Sequence, residues 1–339
     1  MNLLQFGSME IKVDKKDAVK KVKSLVLSAK EDVDSFRVKL EKNFKTEFLP
    51  NRVEKTEQNY FGVKCDVLVP ELYASTRVII YVHGGSFVGG SRESYRGFCS
   101  SIAYAMSARV ILPEFRLAPS YQYPASIEDI ECVVRGILAE ANAAILNDEK
   151  ISFPEIILAA DGSGASLACA ILFKMEEEKR KSISKLVLFS PWLDLSFDSP
   201  IFSEKKSKDK IISARDIRSA AEHYTYGSNF SNVLVSPLKA SEKDLVNFPE
   251  VFIQCGENEL LLQQYHQMKD LLGCHDIPCT LHIVPGMFYM FQMVGASLIE
   301  SSYALEHAGE FVTKRADMTK KEIAERERLI KENNITREL

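Results

Sequence analysis

A chain of 339 residues, 46% hydrophobic and 27% charged, has the composition of a soluble globular protein of one large or two modest domains. A formal net charge of -4 gives no reason to expect nucleic acid or an anionic membrane as partner, and no apolar run approaches the ~20 residues of a membrane span. Seven cysteines without paired spacing, and a start without the basic region and apolar core of a secretory leader, point to reduced thiols in a cytoplasmic setting.

Residues 14 to 45 read as one amphipathic helix, with Val19, Val22, Val26, Val33, Phe36 and Leu40 on one stripe. Such a stripe must pack on something: the main body, or a site over which it forms part of a lid. Pro50 breaks the pattern, and from about Tyr60 the chain reads as strands. Val63–Val69 alternates in part, and Arg77–Val82 is a nearly continuous apolar run, as in a central strand covered on both faces. The loop His83-Gly84-Gly85-Ser86-Phe87-Val88-Gly89-Gly90 follows directly. Glycines there let backbone N–H groups point unobstructed into a cleft, which is how an oxyanion is held. No Gly-Lys-Ser/Thr ends the loop, so it is not a phosphate loop of the Walker type.

A helix over 94–106 and a strand over 108–113 come next. Pro119 and Pro124 stiffen the connection, and Ser126 with Asp129 reads as a capping box for the following helix. Ile156 to Cys169 then reads as a strand turning sharply into a helix through Asp161-Gly162-Ser163-Gly164-Ala165. That is the pattern of a nucleophile elbow, where residues two before and two after the apex must be small. Ala160 and Gly164 satisfy this for an apex at Gly162. Asp161 would crowd an apex at Ser163. The spacing thus puts a glycine where a nucleophile belongs.

Lys185–Phe189 is a further strand. Residues 200 to 240 interrupt the rhythm with a charged loop and a helix over Ser213–Tyr226, expected outside the sheet. Pro249–Cys255 and Thr280–Val284 read as the last strands, with helices over 260–272 and 297–315, before a charged tail from Met318 read as a solvated helix or frayed end. Alternating strands and helices imply a parallel sheet covered on both faces. Cys274 and Cys279 lie close in sequence, yet nothing nearby completes a zinc set, so neither metal nor other cofactor is expected. Cys169 and Cys255 read as core thiols and His282 as a strand residue.

The His83–Gly90 loop, Phe115-Arg-Leu-Ala-Pro119 with Tyr123-Pro124-Ala125, and Ser190-Pro-Trp-Leu-Asp194 together resemble the hormone-sensitive-lipase-like branch of the α/β-hydrolases, a group of carboxylesterases and lipases. The likeness runs from about residue 55 to 315. It implies an α/β-hydrolase fold with a mostly parallel eight-stranded sheet, helices on both faces and a helical cap. In that layout 1–50 is the N-terminal cap segment, 55–199 and 241–316 the core, 200–240 the cap insertion and 317–339 the tail.

The same resemblance assigns the site. Gly162 stands at the nucleophile position, Glu259 at that of the acid and Tyr289 at that of the histidine. Gly84, Gly85 and Ser163 would be the oxyanion donors, with His83 and Asp161 supporting them. A glycine has no side chain to attack with, and a phenol of ordinary pKa ~10 is a poor base beside imidazole at ~6.5. The expectation is a catalytically impaired protein that binds a small acyl ester or carboxylate ligand beneath its cap, with Glu259 hydrogen-bonded to Tyr289. Alternatives are an active ester hydrolase using Ser163 as substitute nucleophile, and a structural or interaction protein on this scaffold. A homodimer is expected only by analogy with the fold.

Overall fold

The computed structural model describes residues 15–46, 49, 52–71, 76–147, 154–202 and 208–314. The charged tail lies outside the described residues. The elements run α1 (Lys15–Val22), α2 (Val33–Phe44), β1 (Val53–Tyr60), β2 (Val63–Pro70), β3 (Arg77–Val82), α3 (Arg92–Ala105), β4 (Arg109–Pro113) and α4 (Ala125–Asn147). There follow β5 (Glu155–Asp161), α5 (Gly162–Lys174), α6 (Glu177–Arg180), β6 (Ile183–Phe189), α7 (Ala214–Tyr224) and α8 (Glu242–Leu245). Then come β7 (Glu250–Gly256), α9 (Leu262–Gly273), β8 (Cys279–Val284) and α10 (Ile299–Thr313).

Eight strands form one sheet in the order β1-β2-β4-β3-β5-β6-β7-β8. The pairs of β2 with β1 and with β4 are antiparallel, and the remaining pairs are parallel. From β3 the chain crosses to β4 on one side, then returns past β3 to β5 on the other. Right-handed crossovers therefore put α3 and α4 on opposite faces. In agreement, α3 packs with α10 and α4 with α5. The central strands are buried nearly throughout, as their apolar runs require. No described helix is long and apolar enough to cross a membrane.

Several local expectations are corrected. The N-terminal stretch is two helices, not one. Asp32 caps α2 by accepting from the Ser35 N–H, and the intervening backbone donates from Leu27 to Ser86 Oγ and from Ala29 to Asp216. These tertiary bonds outweigh the continuous stripe. Ser126 lies inside α4 and caps nothing, because Asp129 is taken by the side chain and backbone N–H of Arg116. β1 was not anticipated: between its ends every residue is exposed, so it shows no apolar alternation. Lys185, buried in β6, donates to the carbonyls of Val312 and Lys314 and so completes the C-terminal end of α10.

Candidate functional site

The elbow lies where β5 ends at Asp161 and α5 begins. Gly162 has φ +47°, the left-handed region that favours glycine. A Cβ on Gly164 would strike the backbone carbonyls of Val82 and His83, so α5 presses directly against the end of β3. The turn is tight because both glycines are there.

Asp161 organises the floor. Its carboxylate accepts from Tyr81 OH (2.8 Å), Tyr95 OH (3.1 Å) and the Gly84 N–H (2.9 Å). Burial pushes the carboxyl up to about 6, against the pull of these donors. The Gly84 bond removes that N–H from the expected oxyanion set. The loop then passes through left-handed backbone at Gly85, Ser86 and Phe87 (φ +98°, +58° and +63°). The backbone N–H groups of Gly85 and Ser86 have no acceptor among the described residues. Ser86, which the motif comparison did not single out, thus leaves its N–H uncommitted where Gly84 does not.

His83 is buried with its ring stacked between Tyr95 and Phe115, centroids 5.0 and 4.2 Å away. Its Nδ1 lies 2.9 Å from the Gly84 carbonyl, so that nitrogen carries the proton and donates. Burial lowers its pKa. It ties the loop to the aromatic side chains of α3 and of the segment after β4. Ser163 is buried, and its Oγ accepts from the Phe87 N–H at 3.0 Å.

Tyr289 comes from the turn after β8. Its hydroxyl accepts from Trp192 Nε1 at 3.1 Å, and a Cβ built on Gly162 would collide with it. The phenol oxygen therefore fills the volume that a nucleophile's side chain would occupy. Burial raises the phenol well above its ordinary value, with the charge of Asp161 adding to the effect. Phe87 stacks on Tyr224 of α7 (4.1 Å between centroids) and meets Trp192 edge-on. These side chains are all buried and close over the elbow.

Glu259 does not hydrogen-bond Tyr289. It accepts from Ser190 Oγ (2.8 Å), Tyr265 OH (2.6 Å) and the Gly256 N–H (2.5 Å). Ser190 Oγ in turn accepts from the N–H of Met290, beside Tyr289. The acid thus orders the tyrosine turn through a serine. Trp192 and Ser190 belong to the Ser190–Asp194 motif, whose sequence reveals no role for them because their partners lie far away in the chain. His282 sits on β8, where its Nδ1 accepts from Gln254 Nε2 at 3.0 Å. Among the described residues no group of three or more His, Cys, Asp or Glu is placed to hold a metal.

Burial pushes the Glu259 carboxyl up to about 8. Two buried carboxyls thus bind protons more tightly in the folded than in the unfolded chain. Their stabilising contribution is complete at acid pH below the ordinary carboxylate range. It is lost as pH rises through about 6 for Asp161 and about 8 for Glu259. Urea midpoints are expected to fall between pH 6 and 8.5, and Glu259→Gln to flatten that slope. A wild-type midpoint that rises over this interval, or a slope unchanged in the variant, would contradict the assignment.

Residues 79–293 match the alpha/beta hydrolase fold family. An esterase of Acinetobacter venetianus is 29% identical over 241 residues, 71% of this chain and 76% of that one. An acetyl-hydrolase of Streptomyces hygroscopicus is 28% identical over 236 residues, 70% and 75% of the two chains. A crystal structure of an esterase from the bacterial hormone-sensitive lipase family superposes with a TM-score of 0.77 at 25% identity, covering 91% of this chain and 98% of the other. With the eight-stranded sheet, the glycine loop and the strand–elbow–helix unit in place, the chain belongs to the α/β-hydrolase fold family, in its hormone-sensitive-lipase-like, carboxylesterase and lipase branch.

Proposed function

We infer that this chain is a non-hydrolytic member of its family, a ligand-binding protein on an esterase scaffold. One observation carries the reading: the Tyr289 hydroxyl lies where the side chain of a nucleophile would project from residue 162, and residue 162 is glycine. Ester cleavage needs an attacking group, a base to deprotonate it and donors for the oxyanion. Only the donors remain, at Gly85, Ser86 and Ser163. Ser163 as substitute nucleophile is disfavoured, because its Oγ accepts from the Phe87 N–H and no imidazole among the described residues hydrogen-bonds it.

The ligand expected beneath the cap is a small acyl ester or carboxylate. The elbow itself offers it little room, since Phe87, Trp192, Tyr224 and Tyr289 close over it. The N-terminal segment and α7 meet at this place, through Ala29 to Asp216 and Leu27 to Ser86, as a cap would. The test is incubation with an organophosphonate ester that labels activated serines, read by intact mass. No adduct is expected. A stoichiometric adduct mapped to Ser163 would replace this reading with that of a rearranged hydrolase.

A further inference from the structure

A cavity of about 530 Å³ opens between α1, the end of α2, α3, the turn Phe291–Val294 and α10. None of Gly162, Ser163, Glu259 and Tyr289 lines it. Its volume falls within the range of about 300–1,000 Å³ usual for small-molecule sites. Phe44, Phe98, Tyr104, Met293, Val294 and Leu305 make it largely apolar.

Two polar groups stand out in that lining. Lys21, half-buried on α1, holds its ammonium 5.2 Å from the centre of the Phe44 ring. It makes no ion pair among the described residues, and burial pushes it below the ordinary lysine value. Gln292, fully buried, donates its amide to Gln254, while its side-chain oxygen has no partner among the described residues. A cation drawn out of water with only a ring face opposite it keeps part of its desolvation cost, which an anion would offset. The acidic side chain of the lining, Glu306, is exposed on α10, where water screens it.

We propose that this cavity binds an amphipathic carboxylate of medium chain length, its anionic head at Lys21 and its alkyl body on the apolar wall. The proposal rests on the ligand-binding part of the reading above and not on the loss of hydrolysis. The site lies beside the turn that delivers Tyr289, so an occupant would press on the same turn from its other end.

The test is calorimetric titration of the full chain with octanoate, octanol and octylammonium. Saturable one-site binding of octanoate is expected, with weaker binding of the alcohol and the amine. Lys21→Met should weaken octanoate by about tenfold and leave octanol unchanged, since a charge-assisted contact is lost and the apolar wall is kept. Ala105→Phe fills the cavity from its half-buried lining and should abolish binding of all three. Lys21 is partly exposed, so its variant keeps the fold and the comparison stands even where Ala105→Phe unfolds. Octanoate binding untouched by both substitutions would overturn this site and leave the ligand-binding reading intact. No octanoate binding by the wild type would overturn the site and count against that reading too.

Discussion

Gly162→Ser combined with Tyr289→His is expected to hydrolyse p-nitrophenyl butyrate at least about 10³-fold faster than the wild type, which should sit near the uncatalysed rate. The physical reason is one of volume as much as of chemistry. The phenol oxygen of Tyr289 fills the place of the serine side chain, so a serine cannot be restored at 162 while the tyrosine stays. Gly162→Ser by itself should be silent. It should also lose about 2–4 kcal/mol of stability, from a side chain on left-handed backbone and from overpacking against the hydroxyl. The shorter imidazole vacates that space and supplies a base near neutral pH. Turnover assays and urea titration of the wild type, both single variants and the double variant separate these effects. Substantial wild-type turnover, or full activity in Gly162→Ser alone, would mean that Tyr289 does not block the elbow.

Gly164→Ala is expected to cost about 3 kcal/mol or more, a large effect for one added methyl group. A Cβ there meets the carbonyl oxygens of Val82 and His83, which are backbone atoms of the central strand and the glycine loop. Neither can rotate away as a side chain tip would. Relief requires α5 to lift from β3, which would also disturb the Phe87 to Ser163 bond. The matched control is Gly273→Ala at the end of α9, where nothing lies within 4 Å of the added carbon. That change should be neutral within about 0.5 kcal/mol, or slightly stabilising through the unfolded chain. Equal thermal midpoints for the two variants would show that the elbow does not press on β3 as described.

Much of this molecule is legible in its sequence. The strand–helix alternation, the buried central strands and the elbow apex at Gly162 depend on local periodicity and on which residues tolerate a tight turn. β1 was invisible because a strand exposed along most of its length carries no apolar pattern. The break between α1 and α2 was hidden because it depends on Ser86 and Asp216, both distant in the chain. The family resemblance assigned Gly84 as an oxyanion donor, and a glycine-rich motif shows which N–H groups are unobstructed, not which are already taken. Asp161, at the end of a different strand, takes this one.

The absence of a nucleophile and of an imidazole at the expected places is a property of the sequence alone, since it depends only on residue type. What fills the gap is not. That the Tyr289 hydroxyl occupies the space beside Gly162, that Glu259 reaches the tyrosine turn through Ser190, and that an apolar cavity with Lys21 opens elsewhere are decided by tertiary packing. Side-chain chemistry is fixed residue by residue, whereas occupied volume and committed hydrogen bonds belong to pairs of residues that only the folded sheet brings together.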